Sequence, residues 1–347
     1  MRGSVVIAVA RATMRDFWRT PESVFWSYAF PLGMALVLGF AFRGQPRAPV
    51  PVAVVPAASA EIDEVVLGAL RQDERLQVAT MDEVAAERAL ALGRATVVVR
   101  LLAAGPRLEL DPTRPDAELA ELVVRRCLQE GAGRRDPIAI DVDEVERPGA
   151  RYIDFLVPGL IGLNLLGMGM FGVGFNLVYM RVRKTLRRLA VTPMGRADFF
   201  AGFMLTRLLL ALPASVVVVV FGRLVFGVPV HGSWLALVAL IVVGAVAFSG
   251  IGLLLGSRAK TIEGASGLMN IVQMPMWLIG GVFFSNQRFP GFVQTMVDAV
   301  PMSLLTDGLR GVMLEGKGVI DVWVPIVALF ALGGVCLAAA VRIFRWN

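Results

Sequence analysis

Apolar runs long enough to cross a bilayer recur along the chain, separated by short polar stretches and one long mixed one. Residues 4–19 set Val6, Val9, Ala10, Met14 and Phe17 on one side of a helix and Arg11, Arg15 and Arg19 on another. A basic amphipathic segment of this kind suits a cytoplasmic bilayer surface, so residues 1–22 are read as a cytoplasmic amphipathic helix. Residues 23–42 carry no charge and can cross a hydrocarbon core of about 30 Å, with Pro31 as a kink. Five further spans are predicted at 153–180, 199–226, 234–257, 264–287 and 322–343. Residues 288–318 are too apolar for a plain loop. Phe289, Phe292, Val293 and Met296 make one half-helix. After Pro301, Leu304, Leu305, Leu309, Val312 and Met313 make another. Their lengths suit external re-entrant or interfacial helices, not crossings.

The mixed stretch, 43–152, reads differently. Val50–Val55, Leu76–Ala79, Thr96–Leu101 and Arg107–Leu110 have strand character. Ala60–Arg71, Met81–Leu92 and Asp116–Gln129 have helical period. In the last helix Leu119, Leu122, Val123 and Leu128 form the expected apolar side. Ile138–Val145 is expected to return the chain along the domain edge. The predicted fold class is an α-helical polytopic membrane protein with six transmembrane helices, N-in/C-in, and a small α/β extracytoplasmic domain between spans 1 and 2.

Details within the spans sharpen this. In the second, Gly162/Gly169 and Gly167/Gly174 are seven apart, so each pair is expected to share a face that lets a neighbouring helix approach. Asn164 in that span, and Asn270 and Gln273 in the fifth, are polar groups at membrane depth that need a partner or a wet cavity. Hydrogen bonding between packed helices and contact with a substrate both remain open for them. Arg207 and Arg223 interrupt the third span about 24 Å apart at helical rise, and each is expected to snorkel to its own interface. Residues 228–232 read as a tight external turn. Gly252 and Gly256 form a GxxxG pair in the fourth span.

Composition and charge agree with this division. The chain is 56% hydrophobic, above the 45–50% usual for a soluble domain. Residues 43–151 carry 15 basic and 19 acidic residues, whereas the remainder carries 19 basic and 9 acidic. The excess cations flank apolar spans on the side the topology assigns to the cytoplasm. They form no aromatic-interleaved basic stripe, so a nucleic-acid partner is not expected. The cysteines Cys127 and Cys336 fall in different regions, and the single His231 builds no metal site.

The densest cationic segment is 181–198, RVRKTLRRLAVTPMGRAD. Read as a helix from Arg181, it puts Val182, Leu186 and Leu189 on one face. Thr192-Pro193 then ends that helix and can open the next, with Thr192 as N-cap and Pro193 at its first position. This stretch reads as a cytoplasmic handle on which another protein acts.

The ordered set RYIDFLVPGLIGLNLLGMGMFGVGF (151–175), RVRKTLRRLAVTPMGRADF (181–199) and SRAKTIEGASGLMNIVQMPMWLIGGVFFSNQRFP (257–290) resembles the membrane subunits of ABC exporters of the type-2 permease superfamily. The stretches VPVAVV (50–55) and LDPTRPDAELAELVVR (110–125) look like the subgroup with an external domain between the first two spans. The resemblance implies a dimer of permeases, a homodimer or a heterodimer, bound to two cytoplasmic ABC ATPase subunits that hold ATP and Mg, with no cofactor on this chain. It implies that 181–198 contains a coupling helix, with Arg183, Lys184, Leu186, Arg187, Leu189 and Thr192 as the contacts to the ATPase. It also implies a substrate path lined from spans two and five by Asn164, Met168, Asn270, Gln273 and Met274. One departure stands out: many relatives have a Glu-Arg-Glu-like run where this chain has Arg181, Arg183 and Lys184.

The chain contains no GxxxxGK[ST] phosphate loop, so ATP hydrolysis is expected from a separate subunit and not from this one. Spans two and four to six lack an acid or histidine well inside, which disfavours proton coupling. Methionines beside the polar groups suit an adaptable apolar path. The expected function is a permease subunit of an ATP-driven exporter in a bacterial plasma (inner) membrane. Its expected cargo is hydrophobic or amphipathic, drug-like or lipid-like, as in multidrug efflux. The alternative is a membrane scaffold or sensor with a ligand-binding external domain.

Overall fold

The computed structural model describes residues 3–42, 49–56, 60–102, 105–114, 116–134, 151–192, 194–283 and 290–344. The chain divides into two compact units, Met1–Arg43 with Glu146–Asn347, and Gly44–Val145. The larger unit opens with α1 (Gly3–Arg19), then α2 (Pro21–Val24), a π-helical turn (Phe25–Ala29) and α3 (Phe30–Ala41). The smaller unit runs β1 (Val50–Val55), α4 (Ala60–Gln72), β2 (Leu76–Thr80), α5 (Glu83–Ala91), β3 (Val97–Leu102), β4 (Gly105–Leu110) and α6 (Ala117–Gly131). The larger unit resumes with α7 (Tyr152–Gly169), a second π-helical turn (Met170–Phe175), α8 (Asn176–Val182), α9 (Thr185–Ala190), α10 (Arg196–Phe226) and α11 (Trp234–Arg258). It ends with α12 (Ile262–Ile279), α13 (Gly291–Asp298), α14 (Pro301–Met313) and α15 (Trp323–Ile343).

In the smaller unit the strand order is β2-β1-β3-β4. β1 is parallel to both β2 and β3, and β4 is antiparallel to β3. Alternation along the two central strands assigns their faces. Val52, Val54, Val97, Val99 and Leu101 join Leu70, Ala120 and Val124 from α4 and α6 in one core. Ala53 and Val98 face the other way, onto Ala86 and Ala89 of α5. Burial on both faces explains why these strands read as unbroken apolar runs. The sequence reading of α6 needs correction: Leu119 and Leu122 are exposed, and the inward stripe is Ala117, Ala120, Val124 and Cys127. The small side chains let the helix lie close to the sheet, with Val123 and Leu128 at its margin. The expected return at Ile138–Val145 lies outside the described residues.

Among the described residues of the larger unit, five helical runs are long and apolar enough to cross a membrane: Pro21–Ala41, Tyr152–Val182, Arg196–Phe226, Trp234–Arg258 and Trp323–Ile343. The expected span at 264–287 is a shorter helix, α12, whose expected last residues lie outside the described ones. Its end has a physical cause. The last carbonyls of a helix lack partners within it, and α14 supplies donors at one turn and then two turns' spacing. Ser303 Oγ donates to Ile279 O (3.4 Å), Thr306 Oγ1 to Gly280 O (3.0 Å) and Arg310 Nη2 to Gly281 O. Gly281 takes φ +68°, a left-handed conformation that ends helices readily on glycine. Arg310 also lies 3.5 Å over the Phe155 ring and pairs with Asp307. α14 is buried nearly all round, so it is a packed element and not a helix lying flat at an interface. It begins with Pro301 in its first turn, where the missing N–H costs nothing.

The centre of the larger unit is α7, buried along almost its whole length. Its glycines do not pair as their spacing of seven suggests. Gly162 faces Met302 and Thr306 of α14, and a Cβ on Gly167 would meet nothing within 4 Å. Gly162 and Gly169, both in α7, meet different neighbours, α14 and α11, two turns apart along the helix, and Gly167 and Gly174 lose their common phase because residues 170–175 form a π turn, which adds a residue to the helical turn. Gly169 and Gly174, five apart across it, both lie against α11. A Cβ on Gly169 would sit 2.7 Å from the Phe248 carbonyl carbon. From the other side, a Cβ on Gly252 would sit 2.6 Å from Gly169 O, and one on Gly256 2.6 Å from Gly174 O. The GxxxG pair of α11 therefore seats on the backbone just before the π turn, at Gly169, and near its end, at Gly174.

α10 closes on Gly227 at φ +66°, with Gly227 N–H bonded to Arg223 O (3.1 Å) and Val228 N–H to Gly222 O (3.1 Å). The short connection that follows pairs with the end of α14, His231 N–H to Met313 O (3.0 Å) and Gly232 N–H to Val312 O (2.9 Å).

Candidate functional site

The cationic segment is built from two short helices, not one. α8 ends at Val182, and Lys184 takes φ 57°, ψ 15°. This left-handed conformation costs a non-glycine residue roughly 1–2 kcal/mol. α9 then runs on a new axis, so Val182, 48% exposed, does not share a face with Leu186. Leu186 is 1% exposed and packs in the protein's own core with Leu177, Phe199, Phe200, Phe203 and Phe344, with Leu189 at the margin. The stripe expected to dock on a partner is thus turned inward and fastens α9 to the ends of α8, α10 and α15. What the segment offers outward is Arg183, Lys184, Arg187, Arg188 and Thr192. Arg183 lies 4.3 Å over the Tyr179 ring.

Two further corrections follow. Thr192 Oγ1 donates to Leu189 O (2.6 Å) and closes α9, while Gly195 occupies the N-cap of α10. Pro193 lies outside the described residues. Arg181, counted among the cations of the handle, turns into the protein. Its guanidinium donates to Gly256 O (3.0 Å), Ser257 O (3.2 Å) and Ala259 O at the end of α11, the favourable place for a cation on a helix.

The five residues expected along a substrate path divide into two sets. Asn164 is buried, and its Nδ2 donates to Ser27 O (2.9 Å) inside the first π turn. Met168 packs with Phe17, Leu210 and Ala214. On α12, Asn270 and Met274 lie on the outer face, beside exposed Ile271 and Leu278. Gln273 is 4% exposed, and its Oε1 has no hydrogen-bond partner among the described residues. One turn on, Trp277 Nε1 is likewise buried without a partner.

Arg207 was expected to snorkel and does not. It is 6% exposed, and its guanidinium donates to Gly172 O in the second π turn. A Cβ at position 172 would sit 2.6 Å from Arg207 Nη1, so glycine makes the room. A π turn leaves carbonyls misaligned for the α ladder. Each of the two π turns has one such carbonyl taken by a polar side chain of a neighbouring helix, Asn164 for the first and Arg207 for the second. The signal in the sequence was a mid-span arginine and a glycine in the preceding span, which periodicity does not connect.

Residues 133–314, just over half of the chain, match the ABC-2 type transporter family, and the chain belongs to it. It is similar to the inner membrane transport permease YadH of Escherichia coli (strain K12), 29% identical over 184 residues, 53% of this chain and 70% of that one. It is similar to the daunorubicin resistance ABC transporter permease protein DrrB1 of Streptomyces coeruleorubidus, 28% identical over 198 residues, 56% of this chain and 69% of that one. ABC transporter G family member 20 of Dictyostelium discoideum is 26% identical over 188 residues, 53% of this chain and 26% of its own length. The chain is a multi-pass membrane subunit of an ABC transporter. Its relatives YadH and DrrB1 are permeases.

Proposed function

We propose that the chain is the permease of an ATP-driven exporter and that Arg183–Thr192 is the surface through which a separate ATPase moves it. One observation carries this reading. The segment is rigidly seated from inside by Leu186 in an aromatic cluster, yet exposes Arg183, Lys184, Arg187 and Arg188 on its outer side. A seated, charged surface can transmit a displacement, whereas a loosely tethered loop would absorb it. Through Arg181 the same region holds the end of α11, so a push on α9 reaches α7, α8 and α11 together.

The working transporter pairs two permease copies, a homodimer or a heterodimer, with two ATPase subunits. It has six crossings, counting α12, with both termini in the cytoplasm and the α/β unit outside, in a bacterial inner membrane. The outer face of α12, with Asn270, Ile271, Met274 and Leu278, faces the substrate path. Gln273 and Trp277 beneath it hold unpaired polar atoms that a cargo or water satisfies. A cargo that is hydrophobic or amphipathic suits this face, and the daunorubicin resistance in the name of DrrB1 supports a drug-like molecule.

The test is purification of the tagged protein in mild detergent with identification of what accompanies it. A phosphate-loop ATPase at two-to-two stoichiometry, with activity in nanodiscs, is expected. A second arm substitutes Arg187→Glu with Arg188→Glu. Retained assembly and retained ATP-driven transport in that variant would refute the coupling role.

A further inference from the structure

α1 is clamped onto α10. A Cβ on Gly202 would come within 2.6 Å of Val9 Cβ, Thr206 Oγ1 donates to Ala10 O (3.3 Å), and Ala10, Thr13 and Phe17 are buried. Beside this contact lies an open groove of about 710 Å³ whose floor is apolar, with Met14 of α1 and Leu205 and Leu209 of α10. Arg11, Arg15 and Arg19 stand along it at successive turns, so their cations span roughly 12 Å of helix. Among the described residues none of the three has an ion-pair partner. Among the described residues no acid lines the groove: Asp16, next to Arg15, points about 100° further round the helix. Exposed Trp18 borders the groove, as tryptophan does where an apolar body meets a wet interface.

We propose that this groove binds an anionic phospholipid of the inner leaflet, its phosphodiester headgroup on Arg11, Arg15 and Arg19 and an acyl chain along Met14, Leu205 and Leu209. A guanidinium takes phosphate oxygens by two parallel hydrogen bonds, and basic pockets between helices on the cytoplasmic side hold anionic headgroups. A free anion would leave the apolar half empty, and a zwitterionic lipid would bring its headgroup cation against three arginines. The inference rests on α1 lying at the cytoplasmic bilayer surface. Because α1 is fixed to α10, and α10 follows directly on the Arg183–Thr192 segment, the lipid holds the very helix through which the proposed coupling passes.

The experiment uses the full chain in nanodiscs and reads Trp18 fluorescence as the difference between the protein and its Trp18→Phe variant. The probes are phosphatidylglycerol and phosphatidylcholine with brominated acyl chains. Half-quenching is expected at about tenfold lower mole fraction for phosphatidylglycerol. Arg11→Gln, Arg15→Gln and Arg19→Gln together should bring the ratio below about two. Equal quenching by both lipids in the unaltered protein overturns the proposal while leaving α1 at the surface. Quenching by neither places α1 away from the bilayer and overturns both readings. Loss of the preference on adding 10 mM inorganic phosphate at constant ionic strength, on the order of ten times a millimolar anion site's need, makes this an anion site and overturns the lipid.

Discussion

Gly169→Ala and Gly167→Ala are two residues apart on α7 and differ in what an added methyl meets. At Gly169 it lies 2.7 Å from the Phe248 carbonyl carbon and 2.8 Å from Ser249 N, both backbone atoms that no rotamer change can move, and at Gly167 it meets nothing within 4 Å. Ordinary contact begins at 3.4 Å, so α7 and α11 must part by about 0.7 Å, which forfeits about a third of the attraction between facing atoms. With on the order of 30 close atom pairs at ~0.15 kcal/mol each, the loss is about 1.5 kcal/mol. Local overpacking strain brings the range to about 1–3 kcal/mol. Both substitutions gain helix propensity of about 1 kcal/mol, which cancels in their difference. The Gly169 variant should therefore melt roughly 2–6 °C below the Gly167 variant, measured by thermal denaturation of the purified protein in one detergent. Equal midpoints, or a lower midpoint for Gly167→Ala, would refute a backbone-to-backbone crossing at this point.

Leu186→Ala should cost about 2–5 kcal/mol through the cavity it leaves in the aromatic cluster, visible as a lower midpoint before any effect on ATPase activity is assayed. Lys184→Gly relieves left-handed strain of roughly 1 kcal/mol and should raise the midpoint slightly; a fall in ATP-driven transport without a fall in stability would assign a role to the side chain itself. Arg181→Gln removes a charged donor from three carbonyls and should cost about 1.5–3 kcal/mol, with faster amide exchange confined to the last turn of α11. In the smaller unit, burial pushes the Cys127 thiol up to about 11, helped by its hydrogen bond to Asp73 (3.0 Å). Because only the thiolate reacts, alkylation by maleimide at pH 8 should be on the order of 200-fold slower than for a free cysteine of pKa about 8.5. The sign of the linkage follows: the folded state favours the neutral thiol, so stability from this group is complete below about pH 8.5 and fades as pH rises toward 11.

Much of the architecture is legible in the sequence because membrane length and strand alternation are strong signals. Val50–Val55 is a strand, and the apolar stretches at 199–226 and 234–257 lie within α10 and α11. What is lost is whatever depends on a single residue's phase. Hydrophobicity assigned Leu119 and Leu122 inward, but the alanines of α6 set the packing distance. A helix drawn from Arg181 put Val182 and Leu186 together, but the turn at Lys184 separates them. The segment 181–198 is recognisable as a cationic insertion between two apolar spans. Which of its residues face outward is not, since Leu186 is equally apolar whether it docks on a partner or on Phe199. Asn164 and Arg207 were visible as polar groups at membrane depth. Their partners, the Ser27 and Gly172 carbonyls, are backbone atoms and leave no mark in residue type.

The second π turn sets α7–α8 against α11 as a vernier: five residues on one side, Gly169 to Gly174, span the same distance as four on the other, Gly252 to Gly256. The quantity held fixed there is the phase of the helix beyond the turn, more than the number of residues in it. Removing any one of residues 170–173 as the turn relaxes to α geometry would leave the two glycines four apart, matching the four on α11. Gly174 would keep its seat beside Gly252, and Arg181, seven residues further, its place at the end of α11. Relaxing the turn with all its residues present would instead rotate everything beyond it by about 100°, a change of angle at the cationic Arg183–Thr192 surface with every side chain of that surface intact.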